Sequence, residues 1–128
     1  MEREWLSLDQ GRAEVLEALC ETIVPGSARV GPAVYIDAVL ARMDAGTRAA
    51  TIAAIDALAD VAGGGAEALA PRAQTPEFMM VRALAIEAFY SDFVAPGADG
   101  PGAWEEIDFN SPQATRLDKD WSYLGVSA

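Results

Sequence analysis

Apolar residues recur every three to four positions along most of this chain, the repeat of helices that each bury one face. Leu8, Val15, Leu16, Leu19, Cys20 and Ile23 fall on one side of a first helix. Ser7-Leu8-Asp9-Gln10 has the form of a capping box and places its start at Ser7, while Pro25-Gly26 stops it. After a loop from Ser27 to Gly31, Pro32 suits the first turn of a second helix, where an N–H would have no partner in any case. Tyr35, Ile36, Val39, Leu40 and Met43 carry the stripe of that helix. A third helix is expected to begin between Asp44 and Thr47 and to run to about Ala62. Its apolar edge is Ile52, Ile55, Leu58, Ala59 and Ala62, and Gly63-Gly64-Gly65 ends it. Pro71 limits the short segment that follows. Thr75-Pro76-Glu77 then joins a capping hydroxyl, a first-turn proline and an acid on the positive end of the helix dipole. It opens a fourth helix with Phe78, Val81, Ala85, Ala88 and Phe89 on one side, running to about Val94 and closed by Pro96-Gly97.

The pattern breaks near Ala95. Gly97, Gly100, Pro101, Gly102 and Pro112 interrupt any regular element, and the run to Ala128 has no sustained period. A disordered tail would be poor in aromatics, yet this one holds Trp104, Phe109, Trp121 and Tyr123. It is expected to be ordered by lying against something. Folding back over its own helices is one arrangement. Lying along another protein is the other, because aromatic anchors on irregular segments mark interface hot spots. The spacing leaves both open, and the four aromatics are the candidate partner-interface residues. The expected fold is all-α: a bundle of about four helices over residues 1–95, with a long irregular, aromatic-bearing tail over residues 96–128.

Composition narrows the chemistry. The length, 128 residues, suits one domain with one core, and much of the 52% hydrophobic content is alanine, which favours closely packed helices. A net charge of −11 opposes binding to nucleic acid or to an anionic membrane face. The charged start, MEREWLSLDQGR, has the form of neither a signal peptide nor an anchor, and no apolar run approaches the roughly 20 residues of a spanning helix. A soluble, cytoplasmic protein is therefore expected. There is no histidine, the commonest general base and metal ligand. The one cysteine, Cys20, allows no internal disulfide and no cluster held by this chain alone, and its apolar helical neighbours predict a buried, inert thiol. Glu105, Glu106 and Asp108, and Asp118 with Asp120, do not match a calcium loop and read as solvated acids. Gly63-Gly64-Gly65 follows a helix rather than a strand, and no Gly-Lys-Ser/Thr comes after it, so it is no phosphate cradle. No catalytic, cofactor-binding or metal-binding residue is nominated, and a binding role remains.

Three stretches together resemble the gluconate 2-dehydrogenase subunit 3 family. Val15-Leu16-Glu17-Ala18-Leu19-Cys20-Glu21-Thr22-Ile23-Val24-Pro25 is similar to the family's first helix with its Ile/Val-Pro stop. Gly31 through Tyr35-Ile36-Asp37 resembles its Gly…Tyr-Ile-Asp helix. Phe89-Tyr90-Ser91-Asp92, a Gly/Pro-rich loop and Trp104 resemble its tyrosine–glycine–tryptophan tail. The resemblance implies a non-catalytic small subunit that clasps and stabilises a large FAD-dependent dehydrogenase of the glucose-methanol-choline type, an enzyme oxidising sugars or other alcohols. FAD would belong to that partner and not to this chain. The family often supplies a twin-arginine export signal, whereas Met1-Glu2-Arg3-Glu4 holds none, so a cytoplasmic complex is the expectation here. Ala88-Phe89-Tyr90 stands where the family often has Gly-Tyr-Tyr. The competing expectation is a free-standing helical adaptor or assembly chaperone that binds a client only transiently. A small enzyme working with carboxylates alone is the third.

Overall fold

A computed structural model describes residues 3–107, and among them every regular element is helical. Three of the candidate aromatics, Phe109, Trp121 and Tyr123, lie outside the described residues. The helices are α1 (Gln10–Ile23), α2 (Pro32–Arg42), α3 (Ala45–Ala57), the short α4 (Gly65–Leu69), α5 (Pro76–Tyr90) and a single turn, α6 (Ala103–Glu106). Shorter 3₁₀ turns at Ser27–Val30, Ala62–Gly64 and Ala70–Arg72 link them. The all-helical class expected from the periodicity is present, with two short helices beyond the four that it predicts. No single described helix is long and apolar enough to cross a membrane.

The predicted stripes meet in one core. Leu16 and Leu19 of α1, Ile36 and Leu40 of α2, Ile55 of α3 and Val81 of α5 are fully buried, together with Leu58 just beyond α3. α5 packs on α1, α2 and α3 and so forms the spine of the bundle. Alanines at 33, 54, 85 and 88 are buried between the helices, where small side chains let backbones approach. Cys20 is buried among them. Burial raises its thiol well above the ordinary range, with the nearby Glu17 charge adding to the effect, so it behaves as a small hydrophobe.

Local side chains cap the starts of α1, α3 and α5 (Asp9, Asp44 and Thr75), and other ends and turns are held by side chains from elsewhere in the chain. The buried carboxylate of Asp37, in α2, accepts from the backbone N–H of Leu6 (2.9 Å), Ser7 (2.8 Å) and Leu8 (2.9 Å). This tie corrects the expected capping box. Residues 6–8 are held against α2 instead of winding into α1, and Asp9 is the cap, accepting from the Arg12 N–H at 2.8 Å. Glu17 of α1 accepts from the Ala33 N–H at 3.0 Å, in the first turn of α2, where Gly31 has no side chain to do so. Glu21 accepts from Gly26 (2.8 Å) and Ala28 (2.9 Å) and fixes the turn after α1. Arg48 donates to the carbonyls of Leu40 (2.8 Å) and Met43 (2.7 Å) at the end of α2.

Two helices are shorter than the periodicity predicts. α3 stops at Ala57, not Ala62: Arg72 donates to the Ala57 carbonyl (3.0 Å) and pairs with Asp60 (2.8 Å), and Leu58 turns into the core. Gly63 and Gly64 therefore sit in a separate turn and do not end α3, and Ala59 is exposed rather than on the apolar edge. α5 stops at Tyr90, not Val94, because Asp92 turns into the left-handed region (φ 65°) and spends its carboxylate on a later segment.

Glu17 makes stability depend on pH in a specific sense. Burial between α1 and α2 raises its carboxyl above the ordinary value; the Ala33 N–H opposes this, and Glu21 one turn away reinforces it. A folded pKa above the unfolded one means that the native state holds the proton longer. Stability from this group is then highest below the ordinary glutamate value and declines as pH rises through the raised one. Glu17→Gln keeps an oxygen for Ala33 and removes the charge. It is expected to melt above the wild type at about pH 7, with the gap closing toward about pH 4 as the wild-type carboxyl takes up its proton. Melting curves of both proteins across that range check the prediction, and a gap independent of pH would contradict it.

Candidate protein-binding surface

Residues 91–107 leave α5, cross the turn after α1 and return to α5. Their course is set by backbone pairing and by one arginine. Ala95 donates to the Val30 carbonyl (2.8 Å) and Gly100 to that of Arg29 (2.9 Å). The approach is close at Gly31, which has φ 67° and where a Cβ would stand 2.8 Å from that of Ala95. Arg29 donates to the Pro101 carbonyl at 2.9 Å, lies over the Phe89 ring at 5.2 Å and pairs with Glu106. Tyr35 and Phe93 meet with ring centroids 5.4 Å apart.

Trp104 is the candidate aromatic that the described residues place. Its backbone N–H donates to Asp92 Oδ1 (3.1 Å) and its indole N–H to the Tyr90 carbonyl (3.3 Å). The ring is half-buried against the core. Gly102 makes this seat possible, since a Cβ there would fall 2.4 Å from Asp92 Oδ1. Glu105 and Glu106, expected as loop acids, lie in α6, and Glu106 is engaged by Arg29.

This fixed segment forms one wall of a recess of about 380 Å³, lined by Ile23, Val24, Arg82, Ile86, Tyr90 and Ile107 among others. Large apolar groups stand open at its rim: Tyr90 is 59% and Ile107 71% exposed. A second recess of about 240 Å³ adjoins it, sharing Ile23 and Arg82 and adding Leu69 and Phe78. The two form a groove alongside α5. Met79, Arg82, Ile86 and Tyr90 follow a 3-4-4 spacing along that helix and so share its outer face. Met79 is 52% exposed.

Every buried side-chain nitrogen or oxygen among the described residues has a hydrogen-bond partner, and the described acids form no group of three that would hold a metal ion. The buried carboxylate of Asp37 and the half-buried one of Glu17 are committed to backbone N–H groups. The groove offers apolar side chains beside two charged ones: Glu106, engaged by Arg29, and Arg82, which is exposed and makes no ion pair among the described residues.

Sequence reasoning placed its interface on the tail and passed over the outer face of α5. The signal was there: Pro76–Tyr90 is apolar on nearly all sides, which in so small a bundle leaves one apolar face uncovered. No family model, no curated protein and no solved structure matches this chain.

Proposed function

We propose that this chain is a non-catalytic subunit that clasps and stabilises a larger enzyme, an FAD-dependent dehydrogenase of the glucose-methanol-choline type acting on sugars or other alcohols. The observation that carries the binding role is the groove beside α5. Large apolar side chains, Tyr90 and Ile107, stand exposed at its rim, on a wall tied down by Arg29 and Asp92. Exposed contiguous apolar surface of this kind is the usual mark of a protein interface. The wall is already ordered, so association costs little further conformational entropy. The identity of the partner rests on the sequence resemblance in α1, α2 and the segment from Phe89 to Trp104. In this reading FAD and substrate stay with the partner. The small subunit binds only the partner's folded form and raises its stability by mass action.

Affinity purification of the tagged chain from its native cells tests the reading. A larger polypeptide is expected to co-elute in fixed ratio and to carry the yellow absorbance of oxidised flavin. Freed of this chain, the partner should lose flavin at a lower temperature. A colourless partner would refute the dehydrogenase assignment, and an unchanged melting temperature would refute the stabilising role.

A further inference from the structure

The groove beside α5 has a chemical pattern that specifies what lies in it. Phe78 lines one of its two recesses and Ile86 the other, eight residues and so roughly 12 Å apart along α5 at 1.5 Å per residue. Arg82 stands between them and lines both recesses. Covering that guanidinium without giving it an acceptor would leave an unpaired charge away from water, which opposes binding. Glu106, the acid in the lining, is engaged by Arg29. The acceptor must therefore arrive with the occupant. A carboxylate matches the guanidinium fork and can accept two parallel N–H bonds.

We infer that the groove receives an amphipathic helix of the partner protein. On one face this helix carries two bulky apolar residues seven or eight positions apart, with an Asp or Glu three or four positions in, opposite Arg82. Seven or eight residues on a helix span the same two turns as Phe78 and Ile86, and the intermediate position lies on the same face. A second copy of this chain is a poor occupant, because it would bring one net charge of −11 against another. The inference rests on the reading of this chain as a protein-binding subunit, but it does not require the partner to hold flavin.

The test places a photo-crosslinking benzoylphenylalanine at Met79, and separately at Ile107, in the full chain expressed in its native cells, and maps the adducts by mass spectrometry. Both positions are exposed; Ile107 lines one recess, and Met79 is the chain neighbour of Phe78, which lines the other. Both are expected to mark one segment of a second protein with the apolar–acid–apolar spacing described. Arg82→Glu should lower the yield at least about tenfold, and replacing the mapped acid by Arg should restore it. The melting temperature of Arg82→Glu should match the wild type, since Arg82 is exposed and supports no described ion pair. Adducts to residues 108–128 of the same chain, to a second copy, or to a segment lacking the acid would overturn the inference, as would the absence of adducts. If a flavoprotein co-purifies but marks neither position, the groove assignment fails and the proposed function stands. If the marked helix has the right spacing but belongs to a colourless protein, the reverse holds.

Discussion

Asp37→Ala is expected to lose about 3 kcal/mol or more of folding stability, because it removes the charged acceptor of three backbone N–H groups, bonds of a kind that contribute roughly 1.5–3 kcal/mol each. Asp37 is 5% exposed, and its two oxygens accept three consecutive backbone N–H groups, those of Leu6, Ser7 and Leu8. Alanine leaves all three donors without that acceptor. The Leu8 donor is buried and has no access to water, and a donor so stranded costs about 1–3 kcal/mol by itself. The loss spreads, because Leu8 is part of the core and the stretch that Asp37 holds delivers the chain to the Asp9 cap. Asp37→Asn should fall between the two. Its amide oxygen can accept from Ser7 and Leu8, but its NH₂ then faces the Leu6 N–H, donor against donor, at roughly 1–2 kcal/mol. Urea unfolding of the three proteins gives the order wild type, Asn, Ala if the slope with denaturant is unchanged. Equal stability of Asp37→Ala and wild type would show that residues 6–8 are not held through this carboxylate.

The second large effect is on binding, with stability left alone. Tyr90→Gln and Ile107→Gln alter side chains already 59% and 71% exposed, so each should shift folding stability by no more than about 0.5 kcal/mol. The Trp104 indole bond to residue 90 uses a backbone carbonyl and survives both changes. On the complex the result should differ sharply. Large apolar residues at the rim of a recess are the type of anchor whose truncation costs about 2 kcal/mol or more, so each variant should bind its partner at least about 30-fold more weakly. Competition of each variant against labelled wild-type chain for the isolated partner measures this. Undiminished affinity in both variants would remove the groove from the interface.

How far the sequence foretold this molecule differs from one feature to another, and the differences have physical causes. The inner stripes were legible because burial of one helical face imposes a period, and Leu16, Leu19, Ile36, Leu40, Ile55 and Val81 are all in the core. The Thr75-Pro76-Glu77 start was legible because its signals are local: Thr75 does cap α5, accepting from the Phe78 N–H. Helix ends were misread wherever a distant side chain decides them. Asp37 displaces the cap of α1 from Ser7 to Asp9, Arg72 closes α3 at Ala57, and the bond from Trp104 to Asp92 helps to end α5 at Tyr90. Each partner is 12 or more residues away in sequence, beyond the reach of any local pattern. The groove was illegible for a related reason. Its lining comes from α1, α4 with the turn after it, α5 and the segment leading to Ile107, which no local pattern brings together. Trp104 was singled out for its aromatic character in an irregular segment, and it is found half-buried against its own bundle, beside the exposed Tyr90.

The most direct test is the native mass of what this chain forms in its own cells, measured after a high-salt wash. Apolar contact in the groove is insensitive to screening, so a stoichiometric assembly with one larger protein is expected to persist through the wash. Recovery of the chain by itself, with Tyr90 and Ile107 bare to solvent, would contradict a role as a permanent subunit.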